Sequence, residues 1–190
     1  MKSEFDICII GAGMAGATIA AYLAPKGIRI ALIDHCYKEK KRIVGKLLQP
    51  GDVLSLEQMD LGHLLDSFDA QPVDGYALLQ GNEKITIPYP HHYKGMGLHN
   101  GRFLQQIRAS ALQNETVTQI HGKALQLLEN ERNEIIGVSY RESLTSEIKS
   151  IHAPLTITSD GFFSNFRESL SNNEKTVTSY FIGLILKDCE

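Results

Sequence analysis

Cysteine is scarce and wrongly spaced for a framework. Three residues, Cys8, Cys36 and Cys189, occur in 190, an odd number with no CxxC pair. That argues against a disulfide scaffold or a zinc centre and fits a reducing compartment. Charge of one sign is lacking too: the net charge is −3 and the pI about 6.2, so there is no electrostatic footprint for nucleic acid. The one basic run, residues 38–42, reads as a solvated loop. None of the seven histidines, the pair His91-His92 included, has partners at ligand spacing, and no metal site is expected. The five residues before the first apolar run hold no apolar signal region, and no stretch is long enough to cross a bilayer. Internal repeats and low-complexity segments are absent. The length suits one domain with a true core, or a domain and part of a second.

What is present is concentrated at the start. Ile7-Cys-Ile-Ile10 is a short apolar run of the kind buried on both faces of a parallel sheet, and Gly11-x-Gly13-x-x-Gly16 follows it directly. Gly11 permits the tight turn, Gly13 lets backbone approach a pyrophosphate, and Gly16 lets the helix pack close to the strand. The N–H groups opening that helix, with its dipole behind them, form an anion site. Residues 28–34 read as a second strand ending in Asp34, 18 residues after Gly16, where a carboxylate can accept from ribose hydroxyls. The same charge disfavours a 2′-phosphate. The motif by itself does not separate FAD from NAD.

Further along, a helix over residues 14–24 stops at Pro25-Lys-Gly27, and residues 35–49 read as a loop. A second helix is expected over 53–68. A hairpin follows at 76–79 and 84–87 with Gly81-Asn82 as its turn. A helix over 102–112 precedes strands at 117–120, 125–128, 135–140 and 147–151, spaced like an antiparallel meander covering one face of the sheet. Residues 155–159 return to the sheet, Asp160-Gly161 follows, and Ser164 is a plausible N-cap. Residues 180–186 read as a strand. The expected class is thus α/β, a Rossmann-like dinucleotide-binding βαβ core with an inserted antiparallel β-sheet. Residues 1–74 would form the core with its loop and helix, 75–98 the start of the inserted substrate-side layer, and 99–190 the return to the core with the meander and the Asp-Gly pair.

Several stretches narrow this further: RIVGKLLQPG at 42–51, DAQ at 69–71, GYA at 75–77, IPYP at 87–90, HNGRF at 99–103 and APLTITSDGFFSNFR at 153–167. In this order they resemble squalene epoxidase (squalene monooxygenase), an FAD flavoprotein family, over essentially the whole chain. The resemblance implies FAD in the glycine-turn site, with NADPH supplying electrons directly or through a flavoprotein reductase. It implies that Met14 and Ala15 lie against the pyrophosphate and Asp34 and His35 at the adenosine ribose. Arg42 and Leu47 would approach the cofactor from the loop, and Arg102 from its helix. Asp160 would belong to the second nucleotide fingerprint, associated with NADPH access. Tyr76 matches the tyrosine lining the cavity beside the flavin, a buried phenol that would hold polar groups near the ring while the apolar alkene is oriented and water excluded.

Departures accompany the likeness. Asp34-His35 stands where the family has Glu-Arg, Lys46 where it has an acid, and Asp52 where it has a second glycine. The resemblance further implies that a later Gly-Asp flavin motif, most of the squalene cavity and the membrane-associated helices lie beyond these residues. The expected protein is a squalene epoxidase on the cytoplasmic face of a membrane, contacting it through the C-terminal part. These residues alone would supply the adenosine half of the flavin site and would not turn over squalene. The competing readings are a related flavin monooxygenase or reductase acting on another polyprenoid, and a truncated, non-catalytic FAD-binding module.

Overall fold

The computed structural model describes residues 4–38, 46–66, 70–162, 164–171, 176 and 178–180. They fall into two compact units, one holding residues 4–38 and 104–180, the other residues 46–103.

The first unit is built on strand β1 (Ile7–Ile10), helix α1 (Met14–Leu23) and strand β2 (Ile30–Asp34). Both strands are buried along their whole length, which is why neither shows polar alternation. Pro25 and Gly27 end α1 through one 3-10 turn, Ala24–Lys26, with Gly27 left-handed at φ 76°.

The second unit opens with strand β3 (Lys46–Leu48), where the sequence suggested loop, and helix α2 (Pro50–Gln58). The expected helix over 53–68 is shorter and starts earlier. Gln49 and Asp52 form a capping box ahead of Pro50, and Asp60, left-handed at φ 59°, breaks the continuation, leaving a separate turn at Gly62–Leu65. Strand β4 (Gln71–Val73) precedes the hairpin β5 (Gly75–Gln80) and β6 (Glu83–Pro88), which turns at Gly81-Asn82 as expected, with Gly81 at φ 58°. Strand β7 (Gly95–Leu98) pairs antiparallel with both β3 and β4. That pairing draws residues 46–73 into the second unit, although the sequence had grouped them with the first.

Helix α3 (Asn100–Leu112) contains the crossing back to the first unit. There the two expected strands at 117–120 and 125–128 are one long strand, β8 (Val117–Glu129). Its first part runs parallel to β2, while its later part pairs antiparallel with β9 (Ile135–Glu142), which pairs with β10 (Ile148–His152). Strand β11 (Leu155–Thr158) returns parallel to β1, giving the order β10-β9-β8-β2-β1-β11. A short helix, α4 (Arg167–Leu170), follows. Ser164 Oγ accepts from the Phe166 and Arg167 N–H groups, but the N-cap of α4 is Phe166 and not Ser164 as expected, because the helix starts two residues later. No strand is assigned at 178–180, and the rest of the expected strand at 180–186 lies outside the described residues.

The meander covers one face of the parallel sheet. Cys8, Ile10, Ala31 and Ile33 pack there with Val138, Tyr140, Ile151 and Phe166, and burial pushes the Cys8 thiol up to about 12. By the two-residue period, Ile9 and Leu32 face the side where α1 packs on β1 and β2. None of the described helices is long and apolar enough to cross a membrane.

Arg29 clamps the start of this βαβ unit. Its Nη2 donates to Asp6 Oδ1 at 2.6 Å, its Nε to Oδ2 at 3.1 Å and its main-chain N–H to Oδ2 at 2.9 Å. The Arg29 side-chain bonds hold the Asp6 carboxyl down to about 2, against an ordinary 3.8. A carboxyl depressed on folding adds stability above its unfolded pKa, and that contribution is lost as the pH falls through the folded value. The melting temperature should therefore fall more steeply between about pH 4 and pH 2 in the parent than in Asp6→Asn, the two curves converging near pH 2. Thermal melts across that range check it. Both groups are exposed, so the slope, not the absolute difference at neutral pH, is the readout.

A candidate nucleotide-binding site

The glycine turn joins the buried end of β1 to α1, and its three glycines meet different surroundings. A Cβ on Gly16 would stand 1.9 Å from the Gly11 carbonyl oxygen and 2.4 Å from Ser159 Oγ. Gly11 is at φ 99°, and a Cβ there would stand 2.5 Å from the Ser159 carbonyl oxygen and 2.9 Å from the Asp160 Cα. Gly13 differs from both: φ is −73°, and, its chain neighbours aside, no atom of the described residues lies within 4 Å of its Cβ position. Two glycines are thus required by the protein's own packing, whereas the third faces open space where an incoming group would find only backbone.

Ser159, one residue past β11, staples this turn. Its Oγ stands within donating distance of two carbonyl oxygens, Ile10 at 3.0 Å and Gly11 at 2.9 Å, and its N–H donates to the Ile10 carbonyl at 2.7 Å. Asp160 consequently sits beside Gly11. Its Oδ2 accepts from the Asn165 N–H at 3.1 Å.

Asp34 closes the other side. Oδ2 accepts from the Ala12 N–H at 2.8 Å, Oδ1 accepts from the Cys36 N–H at 2.9 Å, and the exposed His35 ring stands 3.3 Å from Oδ1. The carboxylate is nearly buried, with both oxygens engaged by the chain itself. Each oxygen keeps a second lone pair, so a ribose hydroxyl would complete the set instead of starting it. Beneath the turn lies Arg108, a residue the sequence reading missed. It is 2% exposed, its Nε donates to the Ala12 carbonyl at 2.7 Å, and its Nη2 is 3.8 Å from Asp34 Oδ2. The available signal was an arginine in the apolar row of α3 that also carries Leu104, Ile107 and Ala111.

Gly11, Gly13, Gly16, Met14, Ala15, Asp34, His35 and Asp160 therefore share the first unit. Leu47, Tyr76 and Arg102 stand in the second, and Arg42 lies outside the described residues. Arg102 is exposed near the start of α3, its N–H donating to His99 Nδ1 at 3.3 Å, and Leu47 is partly exposed on β3. Tyr76 is not the buried phenol expected, being 47% exposed. Its hydroxyl accepts from Gln49 Nε2 at 2.8 Å, while Gln49 Oε1 accepts from the Tyr89 hydroxyl at 2.7 Å. The two rings meet edge to face at 5.7 Å, and the Tyr89 hydroxyl is held above its usual pKa by the neighbouring Tyr76. Gln49 thus fixes Tyr76 while capping α2, a dual use that residue type alone does not signal.

A two-layered βαβ sheet, a glycine turn with one open side and an acid at the end of β2 define a Rossmann-like nucleotide-binding protein. The profile of the NAD(P)-binding Rossmann-like domain matches residues 9–37. The fold is that of the FAD-dependent monooxygenases: a probable FAD-dependent monooxygenase from Pseudomonas aeruginosa superposes with a TM-score of 0.76 at 16% identity, over 93% of this chain and 48% of that one. The p-nitrophenol 4-monooxygenase of Pseudomonas putida gives 0.75 at 16%, over 90% and 44%.

Within that class the chain belongs to the squalene epoxidase family. The family profile matches residues 152–190. The chain is 37% identical to the squalene monooxygenase of Mus musculus over 96% of its length and 33% of that protein's. It is 41% identical to the mitochondrial squalene epoxidase 2 of Arabidopsis thaliana, over all of this chain and 33% of the relative. Against the squalene epoxidase of Schizosaccharomyces pombe the figures are 35%, 96% and 41%. The chain spans about a third of the curated relatives it matches.

Proposed function

We propose that the turn between β1 and α1 holds the ADP half of FAD, in a protein that converts squalene to 2,3-epoxysqualene with O2 and electrons from NADPH. The observation that carries this reading is the open space at Gly13 inside a turn otherwise packed without slack, in a chain related throughout to squalene monooxygenases. Flavin, when bound and reduced, supplies the activated oxygen. The chain's own contribution is binding and orientation: the Gly13, Met14 and Ala15 backbone toward the pyrophosphate, Asp34 and His35 toward the ribose. Asp160 lines the second fingerprint, and Arg42, Leu47 and Arg102 belong to the same cofactor set by family likeness. By the same likeness we assign Tyr76, held by Gln49, to the flavin-side cavity. A flavoprotein reductase, and membrane contact on the cytoplasmic face, complete the proposal.

Flavin fluorescence on titration with the chain tests the cofactor: quenching that ADP reverses supports it, and a folded chain that leaves FAD fluorescence unchanged overturns it. Product analysis on a protein of the relatives' length that carries this chain, with NADPH and a reductase supplied, tests the substrate. Epoxide from squalene supports the proposal, epoxide from another polyprenoid alone points to a different monooxygenase, and FAD binding without oxygen uptake points to a nucleotide-binding module. Tyr76→Phe should lower epoxide yield and raise peroxide leakage, with FAD affinity unchanged.

A further inference from the structure

Arg108 is held in an expensive position. Burying a guanidinium costs several kcal/mol unless its donors are matched, and an aliphatic side chain would fill the space beside Leu104 and Ile107 without that cost. Yet Nη1 and Nη2 are both buried with no hydrogen-bond acceptor among the described residues. The cation is met by Asp34 Oδ2 at 3.8 Å and by the Tyr37 ring at 5.3 Å. Its hydrogen bond from Nε to the Ala12 carbonyl, at 2.7 Å, falls on the glycine turn.

We infer that Arg108 is a positioning residue of the nucleotide site: by holding the Ala12 carbonyl it fixes the peptide plane whose other end is the Gly13 N–H, aiming that donor at a pyrophosphate. The geometry is that of a trans peptide, in which the Ala12 carbonyl and the Gly13 N–H share one plane and point in opposite directions. A carbonyl drawn toward α3 sends the N–H away from it. The preceding peptide is pinned separately, since its Ala12 N–H donates to Asp34 at 2.8 Å and its Gly11 carbonyl accepts from Ser159 Oγ at 2.9 Å. A hydrogen bond from a cation to the carbonyl also polarises the peptide and strengthens its N–H as a donor. The acid of β2 and the cation of α3 thus set the two peptides around Ala12 before any ligand arrives, which lowers the ordering cost of binding.

The inference rests on the dinucleotide reading above, and ADP is the probe that separates the two. In Arg108→Gln, well below its melting temperature, ADP affinity should fall about tenfold. The Gly13 amide in the 1H–15N spectrum of the ligand-free chain should shift, while amides in the meander, such as Val138, stay in place. A residue that merely fills the core would lower the melting temperature without a selective shift at Gly13. Should Arg108→Gln not fold, Arg108→Lys keeps the buried charge beside Asp34 but lacks the planar Nε donor, and the same two changes are expected. Parental ADP affinity in whichever variant folds, or an unmoved Gly13 amide, overturns the inference and leaves the nucleotide site standing. A parent chain that binds no ADP overturns both.

Discussion

Gly13→Val leaves the chain folded and weakens FAD and ADP binding by about 10- to 100-fold. The backbone at Gly13, φ −73° and ψ −170°, is extended and open to any residue, and, its chain neighbours aside, no atom of the described residues lies within 4 Å of the new Cβ. The stability cost is therefore confined to a poorer residue at the helix N-cap, about 1 kcal/mol, or about 2–4 °C in melting temperature for a chain of this size. The valine methyls instead fill the space through which a pyrophosphate reaches the backbone. Displacing a ligand against such a wall costs about 1–3 kcal/mol, the origin of the expected range. Fluorescence titration beside a thermal melt measures both quantities on one sample. Parental affinity in a folded Gly13→Val chain would show that nothing approaches this face of the turn.

The same substitution three residues on has the opposite signature. Gly16→Val should lower the melting temperature by about 6–12 °C or prevent soluble expression, because the Cβ would sit 1.9 Å from the Gly11 carbonyl oxygen. That oxygen cannot retreat freely. It accepts from Ser159, the Gly11 N–H is bonded to Ile33, and Gly11 is itself packed against Ser159 and Asp160. Valine has a better helix propensity than glycine by a few tenths of a kcal/mol, but overpacking against the anchored Gly11 peptide and the Ser159 side chain outweighs it several-fold. Circular dichroism melts decide the matter, and a Gly16→Val chain as stable as the parent would mean that α1 can lift from β1 without loss.

The sequence alone determined the elements whose signals are local. β1, α1 and β2 follow from an apolar run, three glycines and an acid at fixed spacing, the hairpin from Gly81-Asn82 between β-prone runs, and β11 from its return to Asp160. Family kinship was equally legible, since it rests on residue strings. Tertiary structure decided the remainder. Gly95 and Gly97 disfavour a strand, yet β7 forms because β3 and β4 supply hydrogen bonds on both edges, which no propensity encodes. β8 is continuous through Gly122 because two different partners hold its two parts. At the site, the types and spacing of Gly11, Gly13, Gly16 and Asp34 and a separate task for each glycine were visible, but not that Ser159 and Asp160 are what crowd Gly11 and Gly16. Arg108, Ser159 and Gln49 act through backbone carbonyls, phenols and a carboxylate distant in sequence. Their roles exist only once strands and helices are stacked, because a hydrogen bond across 96 or 148 residues is fixed by the packing of the elements that carry its two ends.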